Sequence, residues 1–151
     1  MAIKNEIFRI IDANLNRSRE GLRVCEDIAR FIMNDPAITK ELKTVRHGIS
    51  GIVRSSPKMA KMLIEARHAG NDVGKTPLID IELSRQNISD VFMANIERVK
   101  ESVRVLEEFF KIIDNAQSVK LLRLRFEIYG IEKKAVKKLT CLMSAKKLKR
   151  A

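Results

Sequence analysis

"ANLNRSREGLRVCED" (residues 13–27) lies without a gap over "ANIERVKESVRVLEE" (residues 94–108), at a constant offset of 81. Asn14 falls on Asn95, Arg17 on Arg98, Glu20 on Glu101, Arg23 on Arg104, Val24 on Val105 and Glu26 on Glu107. Further along, "LKTVRHGI" (residues 42–49) matches "LLRLRFEI" (residues 121–128) more weakly, with Arg46 opposite Arg125. A period of this length is one supersecondary unit repeated. The pattern therefore predicts an all-α helical bundle of two related helical hairpins, packed about a pseudo-twofold axis and joined through one long loop.

Composition agrees with that architecture. A chain of 151 residues is long enough for one buried core. With 45% apolar residues, 5% aromatics and no Trp, that core is mostly aliphatic, and six Gly and three Pro are too few for a turn-rich sheet. The expected organisation is a single helical domain over 1–132, with repeat halves at about 9–55 and 90–132, and a basic helical extension or tail over 133–151.

The formal charge of +11 invites a nucleic-acid reading, but residues 133–151 carry eight Lys or Arg and no acid, which leaves +3 for the rest. A basic run of that kind is more often a solvated helix end than a binding site. No zinc spacing, aromatic strand pair or helix-turn-helix signature accompanies it, so nucleic acid is not the expected partner. Cys25 and Cys141 are too few and too far apart for a disulfide framework, which suits a reducing compartment. Charges at Lys4, Glu6 and Arg9 interrupt any signal-like core, and no run of 18 apolar residues occurs. The expectation is a cytoplasmic protein without a membrane partner.

Local signals divide the chain into helices. The first is expected from about Asn5 to Met33, ended by "NDP", where Asp35 suits an N-cap and Pro36 the first position of the next helix. The second ends before Ser56-Pro57, a second cap-plus-proline signal, and the third stops at Gly70, with His68 as a C-terminal cap. "GNDVGKTPLIDIELSRQN" has no helical period and reads as a long ordered loop with an extended segment at "LIDIEL". The fourth helix starts near Asn87 and runs to about Ile113, and the last begins after "DNAQS".

At about 100° per residue, Asn14 sits among Ile10, Gly21, Leu22, Val24, Cys25, Ile28, Ala29 and Ile32, at the centre of an apolar face. Arg17 lies about 60° to one side on the same wheel. Glu20 and Asp27 fall at the border, while Arg19, Arg23 and Arg30 point away. Asn95 repeats the arrangement among Val91, Phe92, Val105, Leu106, Phe109 and Ile113. Buried polar groups require partners and a buried charge left unpaired costs several kcal/mol. Two readings stand. In one, Asn14, Arg17, Asn95 and Arg98 bond across the axis, or to Glu20 and Glu101, and fix helix register. In the other, the arginines line a cavity for an anion and the asparagines read a polar heterocycle.

Other motifs are weaker. "AGNDVGKT" fits a loose phosphate-loop pattern, yet a helix precedes it and Pro77 follows, where a true P-loop leaves a strand and opens a helix. Amides around Gly70 and Gly74, with Asp72 and Lys75, retain a capacity for phosphate or a metal-nucleotide. Lys43, Arg46 and His47 share one side of the second helix, which by itself reads first as a solvated basic face.

"RIIDANLNRSREGLRVCEDIARF", "LKTVRHGI", "NDVG", "ANIERVKESVRVLEE" and "LRFEIYGIEK", in that order, resemble the small helical domain found alone or fused ahead of thiamin-phosphate synthase, the monofunctional hydroxymethylpyrimidine-phosphate kinase family. The resemblance covers roughly Arg9 to Lys133. It implies a phosphomethylpyrimidine kinase that moves the γ-phosphoryl group of ATP onto hydroxymethylpyrimidine phosphate, giving the diphosphate of thiamin biosynthesis, with ATP and Mg²⁺ as cofactors. It implies Arg17, Glu20, Arg98 and Glu101 as catalytic, and Asn14, Arg23, Lys43, Arg46, His47, Asn95, Asp72 and Gly74 as substrate-binding, with Asp12 and Asp72 toward Mg²⁺. It also admits a homodimer and thiamin-phosphate synthase as a functional partner. The alternative is a non-catalytic helical domain of the same pathway that binds the pyrimidine phosphate or a partner enzyme.

Overall fold

A computed structural model describes residues 2–67 and 84–148, with side chains over 3–67 and 84–145. The described residues form helices and contain no strand: α1 (Ala2–Phe31), α2 (Pro36–Arg54), α3 (Pro57–Ala66), α4 (Ile88–Ile113) and α5 (Asn115–Leu148). The fold is all-α. Asp72, Gly74, Gly70, Lys75, His68 and the extended segment expected at "LIDIEL" lie outside the described residues.

The local stop and start signals behave as their chemistry dictates. Asp35 caps α2 by accepting from the backbone N–H groups of Ala37 and Ile38 at 3.1 and 3.0 Å, with Pro36 in the first turn. Those amides hold the Asp35 carboxyl below its ordinary pKa, the Ile38 hydrogen bond first, with Lys138 adding to it. Ser56 caps α3 and Asn87 caps α4 in the same manner. Between α1 and α2, Asn34 takes the left-handed conformation, with φ 48 degrees. The Asp35 N–H there reaches back to the Ala29 carbonyl. The last helix starts earlier than expected: Asp114 ends α4 and also opens α5, its carboxylate and carbonyl both accepting from Gln117 N–H. "DNAQS" is therefore a cap and a first turn, not a loop.

Helices α1 and α4 form the most extensive pair and run antiparallel, with Cys25 against Phe92 and Gly21 against Asn95 and Val99. The buried stripe of α1 is Phe8, Ile11, Leu15, Ser18, Leu22, Cys25 and Ala29, and that of α4 is Phe92, Ile96, Val99, Val103, Leu106 and Phe110. Both step by three and four residues, the spacing of a helix seam. Helix α2 packs on α1 and α5 on α4, while α2 and α5 also meet, with Lys134 on Glu41 and Lys138 on Asp35. Helix α3 covers α1 and α2, and Arg67 at its end clamps Asp12 of α1 with two hydrogen bonds of 2.7 Å. The region expected as a basic tail is helical through Leu148, and its first half joins the core through Ala135 and Leu139.

The buried stripe corrects the helical wheel. Its centre lies about 60° round from Asn14, on the side away from Arg17. Asn14 is buried at the edge of the stripe, whereas Arg17 and its counterpart Arg98 are exposed. Ile32 lies beyond the end of α1 and is likewise exposed, and Ile10 and Val24 are only half-buried.

Close approach at the α1–α4 crossing requires a residue without a side chain at position 21. A Cβ there would sit 2.8 Å from Val99 Cγ2 and 2.9 Å from the Asn95 carbonyl oxygen. Alanine favours an isolated helix by about 1 kcal/mol over glycine, while overpacking costs about 1–3 kcal/mol. Gly21→Ala is therefore expected to lower the urea midpoint, and an unchanged midpoint would show that the helices can part freely. At the same crossing, burial, with Glu132 adding to it, pushes the Cys25 thiol up to about 12. At pH 8 it stays protonated and covered, while Cys141 is exposed. A thiol reagent at pH 8 is expected to titrate one cysteine in the native protein and both in urea. The stability tied to the neutral Cys25 thiol is complete below the unfolded-state value of about 8.5. It is lost as pH rises toward about 12.

Candidate functional site

Each helical hairpin, α1 with α2 (hairpin one) and α4 with α5 (hairpin two), holds a buried carboxylate. Glu26 on α1 accepts from Arg46 Nε of α2 at 2.8 Å, and Glu107 on α4 accepts from Arg125 Nε of α5 at 2.9 Å. Each carboxylate also meets an arginine one turn back on its own helix, Arg23 at 3.4 Å and Arg104 at 2.7 Å. These are positions that coincide in the sequence repeat, so the repeat in sequence is matched by a repeat in contacts. A carboxylate taken out of water requires such partners.

The asparagines duplicate a smaller device. Asn14 Nδ2 donates to the Ile10 carbonyl and Asn95 Nδ2 to the Val91 carbonyl, each at 2.8 Å. One amide hydrogen in each copy is thus committed to the helix's own backbone four residues back. This satisfies a polar group at the edge of the core within its own helix.

Around Arg46 and Arg23 the surface forms an open recess of about 380 Å³, lined by Asn16, Arg19, Glu20, Arg23 and Arg46. The four residues from α1 fall at i, i+3, i+4 and i+7, so one face of the helix supplies them. Arg46 enters from α2, oriented by Glu26. Its side chain is 21% exposed, against 7% for Glu26. Arg19 has no hydrogen bond or ion pair among the described residues, and neither has Glu20. Three guanidinium groups and the Glu20 carboxylate line the recess; Arg23 and Arg46 share Glu26 and Arg23 also meets Asp27, which leaves Arg19 as the cation without a partner among the described lining residues.

Hairpin two presents a different surface at the matching positions. Lys100, opposite Arg19, donates to Glu97 at 2.6 Å and to both oxygens of Glu132 at 2.8 and 2.9 Å. Burial works against the Lys100 charge, but these bonds outweigh it and raise its pKa. Arg125, opposite Arg46, gives one terminal nitrogen to the Tyr129 hydroxyl at 3.1 Å. The bonds to Glu107 and then to Tyr129 raise its pKa as well. The Tyr129 ring lies 5.7 Å from the Lys100 ammonium and 5.8 Å from the Arg125 guanidinium. At that range the ring face attracts both cations.

Of the residues singled out in the sequence, Glu20, Arg23 and Arg46 come together in the recess. Arg98, Glu101 and Asn95 sit on α4, and Glu101 is exposed like Arg98. Lys43 and His47 are exposed on α2 and do not line the recess. Arg17 is exposed without a partner among the described residues, so the desolvation argument for it lapses. Asp12 already has both oxygens bound by Arg67, which leaves it poorly suited to a metal. Among the described residues no group of three His, Cys, Asp or Glu is arranged for a metal ion. Arg19 and Asn16 escape a reading of the sequence because the wheel turns them toward solvent. Glu26 stands opposite Glu107 in the alignment, and that coincidence is its signal.

The model of the ThiD2 family matches residues 9–134. Among curated relatives, the thiamine-phosphate synthase of Rhodopirellula baltica is 37% identical over 124 residues, 82% of this chain and 32% of that protein. The thiamine-phosphate synthase of a Synechocystis species is 37% identical over 126 residues, covering 83% and 35%. That of a Synechococcus species is 35% identical over 136 residues, covering 90% and 35%. The chain thus spans about a third of the length of the curated relatives it matches. No solved structure matches it.

Structural and exposed charges separate by mutation. Glu107→Ala leaves Arg125, a half-buried cation, without its carboxylate and is expected to cost about 3 kcal/mol of stability, read as a fall in the urea midpoint. Arg17→Ala and Glu101→Ala, at exposed positions, are expected to shift it by less than about 0.5 kcal/mol. A large loss in Arg17→Ala would restore the register-fixing reading.

Proposed function

Because the chain belongs to the ThiD2 family, we propose that it is a kinase of thiamin biosynthesis that transfers the γ-phosphoryl group of ATP to hydroxymethylpyrimidine phosphate. An oxygen of the acceptor phosphate attacks the γ-phosphorus, the bond to the β–γ bridging oxygen breaks, and ADP departs with that oxygen. The protein supplies no nucleophile in such a reaction. Its task is positioning and charge neutralisation. The observation that carries this reading is the convergence of Arg19, Arg23 and Arg46 on one open recess.

In this reading Arg23 and Arg46 hold the phosphate oxygens, and Glu26 fixes Arg46 so that its terminal nitrogens face the recess. Mg²⁺ supplies neutralisation of the nucleotide oxygens when bound. Glu20, an exposed carboxylate on the rim without a partner among the described residues, fits it better than Asp12 does. Asn14 and Asn95 keep an amide oxygen and one N–H, but neither lines the recess, so this reading does not rest on them. Thiamine-phosphate synthase, the name the relatives carry, is the proposed functional partner, since it would consume the diphosphate.

Purified protein with the pyrimidine monophosphate, ATP and Mg²⁺ is expected to form ADP and the pyrimidine diphosphate in equal amounts. Arg23→Ala is expected to lower kcat/KM by about 100-fold. Absence of both products would remove the kinase reading and leave the non-catalytic binding domain in its place.

A further inference from the structure

Two hairpins share a carboxylate–arginine core, yet at the matched position Lys100 of hairpin two is paired with two carboxylates while Arg19 of hairpin one has no partner among the described residues. Extending the gap-free match of Arg46 on Arg125 sets Ser50 opposite Tyr129 and Val53 opposite Glu132. The match of α1 on α4 sets Asn16 opposite Glu97. Beyond the shared carboxylate, every one of these acceptors that occupies a cation in hairpin two is thereby replaced in hairpin one. Asn16 and Val53 stand where the two carboxylates holding Lys100 stand, so Arg19 lacks a carboxylate. Ser50 stands where the Tyr129 hydroxyl holds Arg125, and its own hydroxyl instead donates to the Arg46 carbonyl at 2.9 Å. The terminal nitrogens of Arg46 are left without a partner among the described residues. The ion pairs slacken in the same direction: Arg104 meets Glu107 and Glu108 at 2.7 Å each, Arg23 meets Glu26 and Asp27 at 3.4 and 3.5 Å.

We infer that the duplicated hairpins have divided their roles. Hairpin one binds a phosphate monoester in the recess of Arg19, Arg23 and Arg46, and hairpin two is its self-closed counterpart, in which Glu97, Glu132 and Tyr129 occupy the place of the ligand. Three guanidinium groups on two helices can share the oxygens of one tetrahedral anion, and Arg46 is already held for the purpose by Glu26. The small Asn16 side chain at the rim leaves room for the organic part of the ester. The inference deepens the kinase reading and rests on it for the identity of the ester, though not for the binding of the anion.

Calorimetric titration of the full chain with inorganic pyrophosphate and with the pyrimidine monophosphate, at low salt and without nucleotide, tests it. One site per chain is expected. Arg19→Ala removes a group that holds no other residue and is expected to weaken binding at least tenfold, with the urea midpoint unchanged. Asn16→Glu, which installs the carboxylate of hairpin two beside Arg19, is expected to weaken it as strongly. Arg123→Ala removes one exposed charge from α5 of hairpin two and is expected to leave affinity within twofold. Unchanged affinity in Arg19→Ala and Asn16→Glu, or an equal loss in Arg123→Ala, would overturn the assignment. Binding that follows this pattern without ADP formation would sink the kinase reading alone and leave the phosphate site standing.

Discussion

A carboxylate driven into the seam between two helices, and the arginine that must follow it there, is the constraint on which this bundle turns. Glu26 and Glu107 are almost wholly withdrawn from water, so each obliges the neighbouring helix to deliver a guanidinium group at one height and one rotation. That requirement sets α2 on α1 through Arg46 and α5 on α4 through Arg125. Apolar packing supplies the bulk of the driving force, but it is tolerant of sliding. A directed bond from one nitrogen to one oxygen, such as Arg46 Nε to Glu26, is not.

The same constraint joins structure to chemistry. The Nε of Arg46 is engaged by Glu26 and the residue also lines the recess, so one side chain is a strut and, in the proposed reading, a binding group as well. Fixing an arginine in advance removes the entropy that a flexible cation would lose on meeting an anion. In hairpin two the far end of Arg125 meets Tyr129 instead, and the same strut ends in the protein itself.

Much of the fold is legible because it is written locally. Asp35 with Pro36, Ser56 with Pro57, and Asn87 each act on amides two or three residues away, and the repeat itself announces two helix pairs. What fails is the rotation of α1. Counting Ile10, Val24 and Ile32 as core draws the centre of the face toward Asn14, whereas the buried Ile11, Leu15 and Ser18 mark the true centre. Arg17 consequently looks buried and Arg19 irrelevant. Nor can sequence alone weigh Arg19, because its freedom depends on a comparison with Lys100, whose partners lie 3 and 32 residues away. Asp114 reads as part of a loop because nothing in "DNAQS" distinguishes a linker from a cap that both ends one helix and begins the next.

That shared cap gives the two corners of the molecule unequal tolerance to change in length. Hairpin one turns through residues 32–35, with Asn34 in a conformation that glycine adopts freely, so an added residue there can be taken up by the bend. Hairpin two turns on Asp114 alone. One residue inserted at that joint would rotate α5 by about 100°, carrying Arg125 off Glu107 and turning Ile128 and Ile131 out of the core. The first corner can therefore absorb a change in length that the second cannot.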